Sequence, residues 1–170
     1  MIDVVVHTKA PVILMHRKGI SKDMQQQCVY QNVVQEVTEY LLGRADCLEE
    51  RQIGPDKIIL DPGIGFAKND EQNLRLMQNL NALTVNRYPV LLAASRKTTI
   101  GNVLGTEMAE GKSVAGNVPG TVTPLPPEER LEGTLAATAA AVYGGTNLVR
   151  VHDVKENVRL IRMLEAIRKV

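Results

Sequence analysis

Lys57-Ile-Ile-Leu-Asp-Pro-Gly-Ile-Gly-Phe-Ala-Lys68 is the stretch on which the fold turns. Ile58, Ile59 and Leu60 form a short apolar run with strong β preference, and Asp61-Pro62-Gly63 stops it at once. Gly54-Pro55 breaks the chain ahead of it, so Lys57 to Leu60 reads as a buried strand. A carboxylate at the mouth of such a strand, before a glycine-bearing loop, can meet a ligand as a fixed hydrogen-bond acceptor. The simpler reading is an Asp-Pro-Gly turn, in which Asp caps the turn and Pro and Gly supply its dihedral angles. Three more strand ends of the same kind shift the weight toward a site.

The first lies upstream. Pro11 to Met15 is an apolar strand ending in His16-Arg17-Lys18-Gly19, while Ile2 to His7 fits either a helix tail or a short strand. A helix is expected from about Tyr30 to Glu49, with Tyr30, Val33, Val34, Val37, Tyr40, Leu41 and Leu48 on one face. Downstream, Asn69 to Leu83 reads as a helix carrying Leu74, Met77 and Leu80. Tyr88 to Ala94 is the third strand, with Ser95-Arg96-Lys97 at its end and a short helix over Ile100 to Leu104. Glu107 to Pro127 concentrates Gly and Pro and is expected to be a long mobile loop. A small-residue helix from about Pro127 to Tyr143 ends at Gly144-Gly145, and Asn147 to His152 is the fourth strand. Asp153 and Glu156 have the spacing of a capping box for a last helix, with Val154, Val158, Ile161, Leu164 and Ile167 or Arg168 as its buried stripe.

Strand and helix thus alternate four times. Such alternation means an α/β fold with a parallel sheet and right-handed crossovers. Polar residues gather at each strand's C-terminal end, where α/β folds place their ligands. The order fits an open four-stranded sheet or part of a (β/α)8 barrel; 170 residues fall short of the roughly 250 a whole barrel needs. The abrupt start shortly before a strand, and the lack of a Rossmann or Walker glycine loop, favour the partial barrel.

Totals narrow the function. The chain has one domain's worth of residues, 1–170, and 44% are apolar. A net charge of +1 with 3% aromatic residues argues against a nucleic-acid surface. The longest apolar run, Leu135 to Tyr143, is too short to span a bilayer, and the first residues lack a secretory signal. Cys28 and Cys47 are too few for a disulfide framework or metal site, so no metal ligands are assigned and a reducing cytoplasm is expected.

At the strand ends, Arg150 and His152 share a strand face and stand beside a helix N-terminus at Asp153, which suits an oxyanion or diphosphate. A basic rim residue with a structural histidine is the alternative. Ser95-Arg96-Lys97 offers a hydroxyl, a planar guanidinium that can stack on a flat ring, and a point donor; taken alone it also fits a solvated basic turn. Met15 reads as core, His16 as a support for its loop, and Phe66 as filler or a cover for an aromatic substrate.

Together, Leu14-Met15-His16, the run Asp61 to Lys68, Ser95-Arg96-Lys97 and the run Arg150 to Asp153 resemble the successive strand-end motifs of dihydropteroate synthase, in order and separation. Glu129 to Ala137 resembles that family's helix before its last strand, so the resemblance covers essentially the whole chain. It implies a (β/α)8 barrel that joins p-aminobenzoate to a 7,8-dihydropterin-6-ylmethyl diphosphate, giving dihydropteroate and diphosphate in folate biosynthesis. Sulfonamide sensitivity, a cytoplasmic location and Mg²⁺ are implied with it.

By the same resemblance, Asp61 accepts from the pterin, Lys97 donates to its oxygen and ring nitrogen, Arg96 lies against the ring and Met15 lines the pocket. Ser95, Phe66 and Lys68 border the aminobenzoate, while Arg150 and His152 hold the departing diphosphate; Lys97, Arg150 and His152 are the expected catalytic residues. Two positions depart from the pattern: Ala67 and Ala93 stand where the family usually has glycine. If Ala67 adopts positive φ it carries a cost of roughly 1 kcal/mol or more. The family's first strands, with the Asn that binds Mg²⁺, have no match, so the chain is expected to be strands five to eight and weakly active or inactive alone. A methyltetrahydrofolate-binding methyltransferase and a non-catalytic half-barrel module are the rival readings. Homodimerisation, or association through exposed barrel edges, is expected in any case.

Overall fold

The structure, a computed structural model, describes residues 2–20, 22–110 and 123–170, with 106–110 described by backbone alone. In chain order come α1 (Ile2–Thr8), β1 (Val12–Met15), α2 (Val33–Glu49), β2 (Ile58–Asp61), α3 (Asp70–Gln78), α4 (Asn81–Thr84), β3 (Leu91–Leu92), α5 (Thr98–Glu110), α6 (Leu131–Tyr143), β4 (Leu148–Val149) and α7 (Val154–Arg168). The expected alternation of strand and helix is present.

β1 and β2 pair in parallel, from Val12 opposite Ile58 to Met15 opposite Asp61. β3 and β4 pair in parallel over Leu91–Leu148 and Leu92–Val149. A single parallel bridge, Leu60 to Val90, connects the two pairs. All four strands therefore run the same way, and their C-terminal ends open on one side. Leu41, Leu48, Ile53, Ile58, Leu60, Leu80, Val90 and Leu92 are fully buried between sheet and helices. Each contributes about 1.5–3 kcal/mol through the apolar surface it removes from water.

Local chemistry sets the helix starts. Asn32 Oδ1 accepts from the Gln35 N–H at 3.1 Å, which begins α2 three residues later than Tyr30. Asn69 and Gln72 form a reciprocal capping box on α3, so that helix starts beyond Asn69 and stops at Gln78. In that phase Leu76 and Met77 turn inward and Leu74 stays 45% exposed, against the stripe expected of it. Leu80 and Leu83 are buried from the separate α4 and its approach. Ile2–Thr8 is helical, which resolves the open choice there.

α5 is longer than the expected Ile100–Leu104 and takes in Glu107–Glu110; of the rest of the expected loop, 111–122 lie outside the described residues and 123–126 are irregular. The largest difference is in α7. Asn157 and Leu164 are its buried residues, while Val154 is 60% exposed and Val158 and Ile167 are exposed too. α7 packs on α6, and Asn157 takes the central contact by accepting from Thr138 Oγ1 at 2.6 Å. Asp153 makes no capping bond to α7, because its carboxylate is engaged elsewhere. Among the described residues, no helix is long and apolar enough to cross a membrane.

Candidate functional site

The floor of the open end is built where β1 and β2 stop. The His16 N–H donates to the Asp61 carbonyl at 3.1 Å, continuing the ladder one residue past the strands. Met15 and Asp61 are register partners, so their side chains leave the sheet on the same face. The Asp61 carboxylate is 5% exposed and accepts from the Gly63 N–H at 2.7 Å. Gly63 has φ +70°, and a Cβ there would overlap the His16 carbonyl oxygen, so the turn requires glycine. Gly65 at φ +81° and Ala67 at φ +53° curl the loop further. The positive φ anticipated for Ala67 is present, at a cost of about 1–2 kcal/mol.

A loop curled this way turns carbonyls inward, and they need a donor. Lys68 supplies it. Its ammonium is 3% exposed and donates to the carbonyls of Phe66 at 2.9 Å and Gly63 at 3.1 Å, and lies 3.0 Å from His16 Nδ1. The ammonium of Lys68, expected at the aminobenzoate border, is enclosed by the loop's own carbonyls. Burial, then Lys68 and Lys18, hold His16 down to about 4, so its ring is neutral and Nδ1 accepts while Nε2 keeps the proton. Burial likewise brings Lys68 down to about 8, partly offset by Asp61. The His16 ring stands edge-on to Tyr40 at 5.0 Å, and Tyr30 donates to the Ala67 carbonyl at 3.0 Å. Asn73 closes the far side, accepting from the Gly65 N–H at 2.8 Å and donating to Thr99 at 2.9 Å.

The rim comes from β3 and β4. Ser95, Arg96, Lys97, Arg150 and His152 line one cleft of about 480 Å³ with Ala93, Pro127 and Val151. Ser95 Oγ accepts from the His152 N–H at 3.2 Å and lies 2.9 Å from His152 Nδ1. The hydroxyl thus ties both the backbone and the ring of His152 to the end of β3. Arg96 grips Asp153 with two bonds, Nε to Oδ2 at 3.1 Å and Nη2 to Oδ1 at 2.5 Å. That pair replaces the expected cap on α7, since a bidentate guanidinium satisfies both carboxylate oxygens. Lys97 Nζ lies 4.3 Å from the Phe66 ring centroid, which joins rim to floor.

Electrostatics ties three strand ends together. Burial pushes the Asp61 carboxyl up, while the Gly63 N–H, Lys97, Lys68 and Arg150 act to bring it down. Burial lowers Lys97, Asp61 raises it, and Arg150 lowers it further. Asp61, Lys97 and Arg150 thus lie within each other's fields at one mouth. Such a mouth offers one buried acceptor, one half-buried donor and an exposed cationic edge: it can orient a flat polar heterocycle and hold an anion beside it.

Arg130, Thr134 and Asn73 are buried supports of the two turns that the strand-end motifs do not reveal. Glu129-Arg130 looks like a solvated pair ahead of a helix, and only its contacts show otherwise. Among the described residues no group of three or more His, Cys, Asp and Glu could hold a metal ion.

A family model described as pterin binding enzyme matches residues 1–152. The dihydropteroate synthase of Synechocystis is 35% identical over 159 residues, which cover 94% of this chain and 49% of that protein. The solved Yersinia pestis dihydropteroate synthase in its sulfonamide drug complex superposes with a TM-score of 0.84 at 30% identity, over 99% of this chain and 54% of its own. The Xanthomonas albilineans dihydropteroate synthase in complex with 7,8-dihydropteroate gives 0.79 at 31% identity, over 99% and 55%. The chain spans about half the length of the curated relatives it matches.

Proposed function

This chain belongs to the pterin binding enzyme family, and from that premise we propose that it carries one side of a dihydropteroate synthase site. In this reading residues 1–170 are a single domain corresponding to strands five to eight of a (β/α)8 barrel, working in the cytoplasm. The reading is supported by the coverage of about half of each relative, and by the outer strand edges, where Ile13 on β1 is 51% exposed and Leu148 on β4 is exposed as well. Further strands at those edges would complete the barrel.

One observation carries the functional reading: Lys97 lies against Phe66 of the loop that follows Asp61, at 4.3 Å, and lines the same cleft as Arg150 and His152. The buried Asp61 carboxylate accepts from the pterin's amino and ring N–H groups, and Lys97 donates to its oxygen and ring nitrogen. Met15 lines the ring's edge, and Phe66 and Ser95 border the aminobenzoate. Arg96 reaches the pterin face with its guanidinium pinned by Asp153. The aminobenzoate nitrogen attacks the pterin methylene carbon, the C–O bond breaks, and the amine gives up its proton. Diphosphate takes up that proton and departs toward Arg150 and His152, whose hold on it strengthens as the anion forms. Alignment of amine, methylene and leaving oxygen supplies the remainder. Lys68 serves the reaction by holding the loop, with no ligand contact.

Calorimetric titration of the chain with 6-hydroxymethylpterin tests this. Asp61→Asn should weaken binding at least about tenfold, through loss of charge-assisted bonds. Unaltered affinity in that variant would sink the assignment. The chain alone should form little dihydropteroate from pterin diphosphate and p-aminobenzoate; normal turnover would overturn the one-sided site.

A further inference from the structure

Arg130 does not line the cleft, yet it is 8% exposed at the start of α6. Its Nε donates to the Leu125 carbonyl at 2.7 Å and its Nη1 to the Arg96 carbonyl at 2.8 Å. One turn along the helix, Thr134 Oγ1 accepts from the Arg96 N–H at 3.1 Å. Both backbone polar groups of Arg96 are therefore held by α6. Arg96 is also left-handed, with φ +56°, a conformation that a long side chain keeps only where its surroundings over-determine it. α5 makes room for the clamp: a Cβ on Gly101 would overlap the Arg130 guanidinium. The left-handed residue reverses the chain between Ser95 and Lys97, and both neighbours face the cleft.

We propose that Arg130, with Thr134, is the positioning residue of the Ser95-Arg96-Lys97 turn, holding Arg96 by its backbone and so aiming Lys97 at the mouth. Arg130 touches no ligand. The inference rests on the pterin reading for the identity of what Lys97 meets, and on geometry alone for the clamp.

The test uses the 170-residue chain and two variants. Arg130→Lys keeps the charge but replaces the planar fork, whose Nε and Nη1 each reach one carbonyl, with a single nitrogen in another place. Gly101→Ala keeps Arg130 and crowds its guanidinium, in a helix where alanine is otherwise the better residue. Amide hydrogen exchange is followed at Arg96 and Lys97, with Ile58 to Leu60 as the internal reference. Both variants should speed exchange at Arg96 and Lys97 about tenfold and leave the reference unchanged. Affinity for 6-hydroxymethylpterin should fall about tenfold while that for inorganic diphosphate, held by Arg150 and His152, stays within about twofold. Unchanged exchange at the turn overturns the clamp, and so does equal acceleration at turn and reference, which would mean general loosening. If the unmodified chain binds no pterin, the pterin reading fails, and the exchange measurement still decides the role of Arg130.

Discussion

The floor of the mouth and its rim are built by opposite means. β1 and β2 pair over four residues each, and the loop beyond them is packed around a buried ammonium, a buried carboxylate and a neutral histidine. β3 and β4 pair over two residues each, and the turns beyond them are joined by side chains: Ser95 to His152 and Arg96 to Asp153. Buried polar groups lose heavily when a partner is removed, whereas half-exposed ones exchange it for water. The floor should therefore be stiff and intolerant, the rim adjustable.

Acid offers the harshest way to break that contrast. His16 is held near 4 against an ordinary 6.5, so the unfolded chain takes up the proton first. Its contribution is level above about pH 6.5 and falls away as the pH drops toward 4, by about 3 kcal/mol. Asp61, raised by burial, works in the opposite sense, so urea unfolding of the chain is compared with His16→Asn at each pH. Parallel curves for the two would remove the histidine from the floor's design.

Next in size is Lys68→Met, which leaves the carbonyls of Gly63 and Phe66 without their donor. A loss of roughly 2 kcal/mol is expected from the same unfolding curves. On the rim, Asp153→Asn should cost less stability than Lys68→Met, because the pair it weakens is partly open to water. Its ligand effect should be the larger one, since Arg96 is freed; pterin affinity that stays put while stability collapses would invert the contrast. The smallest change is Ala67→Gly. Relief of the left-handed alanine, offset by loss of a buried methyl, should raise stability by about 0.5 kcal/mol, read as an upward shift in thermal midpoint.

What the bare sequence discloses follows the same division. Strand ends are legible because apolar runs halt at Asp61-Pro62-Gly63, at Ser95 and at Arg150, and parallel alternation puts them on one side. The direction of a single charged side chain is not. Lys68 looks like a ligand contact until the carbonyls that enclose it are placed, and those depend on three successive left-handed or glycine positions. Asp153 and Glu156 have capping-box spacing, but Arg96, 57 residues away, outcompetes the local bond. α7 misleads for a related reason: Asn157, polar and fully buried, faces α6 through Thr138, and of the apolar stripe Leu164 is buried while Val154, Val158 and Ile167 stay exposed. Long-range partners decide each of these cases, and periodicity registers only neighbours.

Leu60 is the hinge pin between the two pairs, bridged to Val90 and donating its N–H to the Pro89 carbonyl at 2.8 Å. Along that line the sheet is perforated, with one rung where its flanks have several. Under mechanical load, a tether pulling residues 2 and 170 apart should tear there first, delivering the floor and the rim as separate pieces before either one unravels.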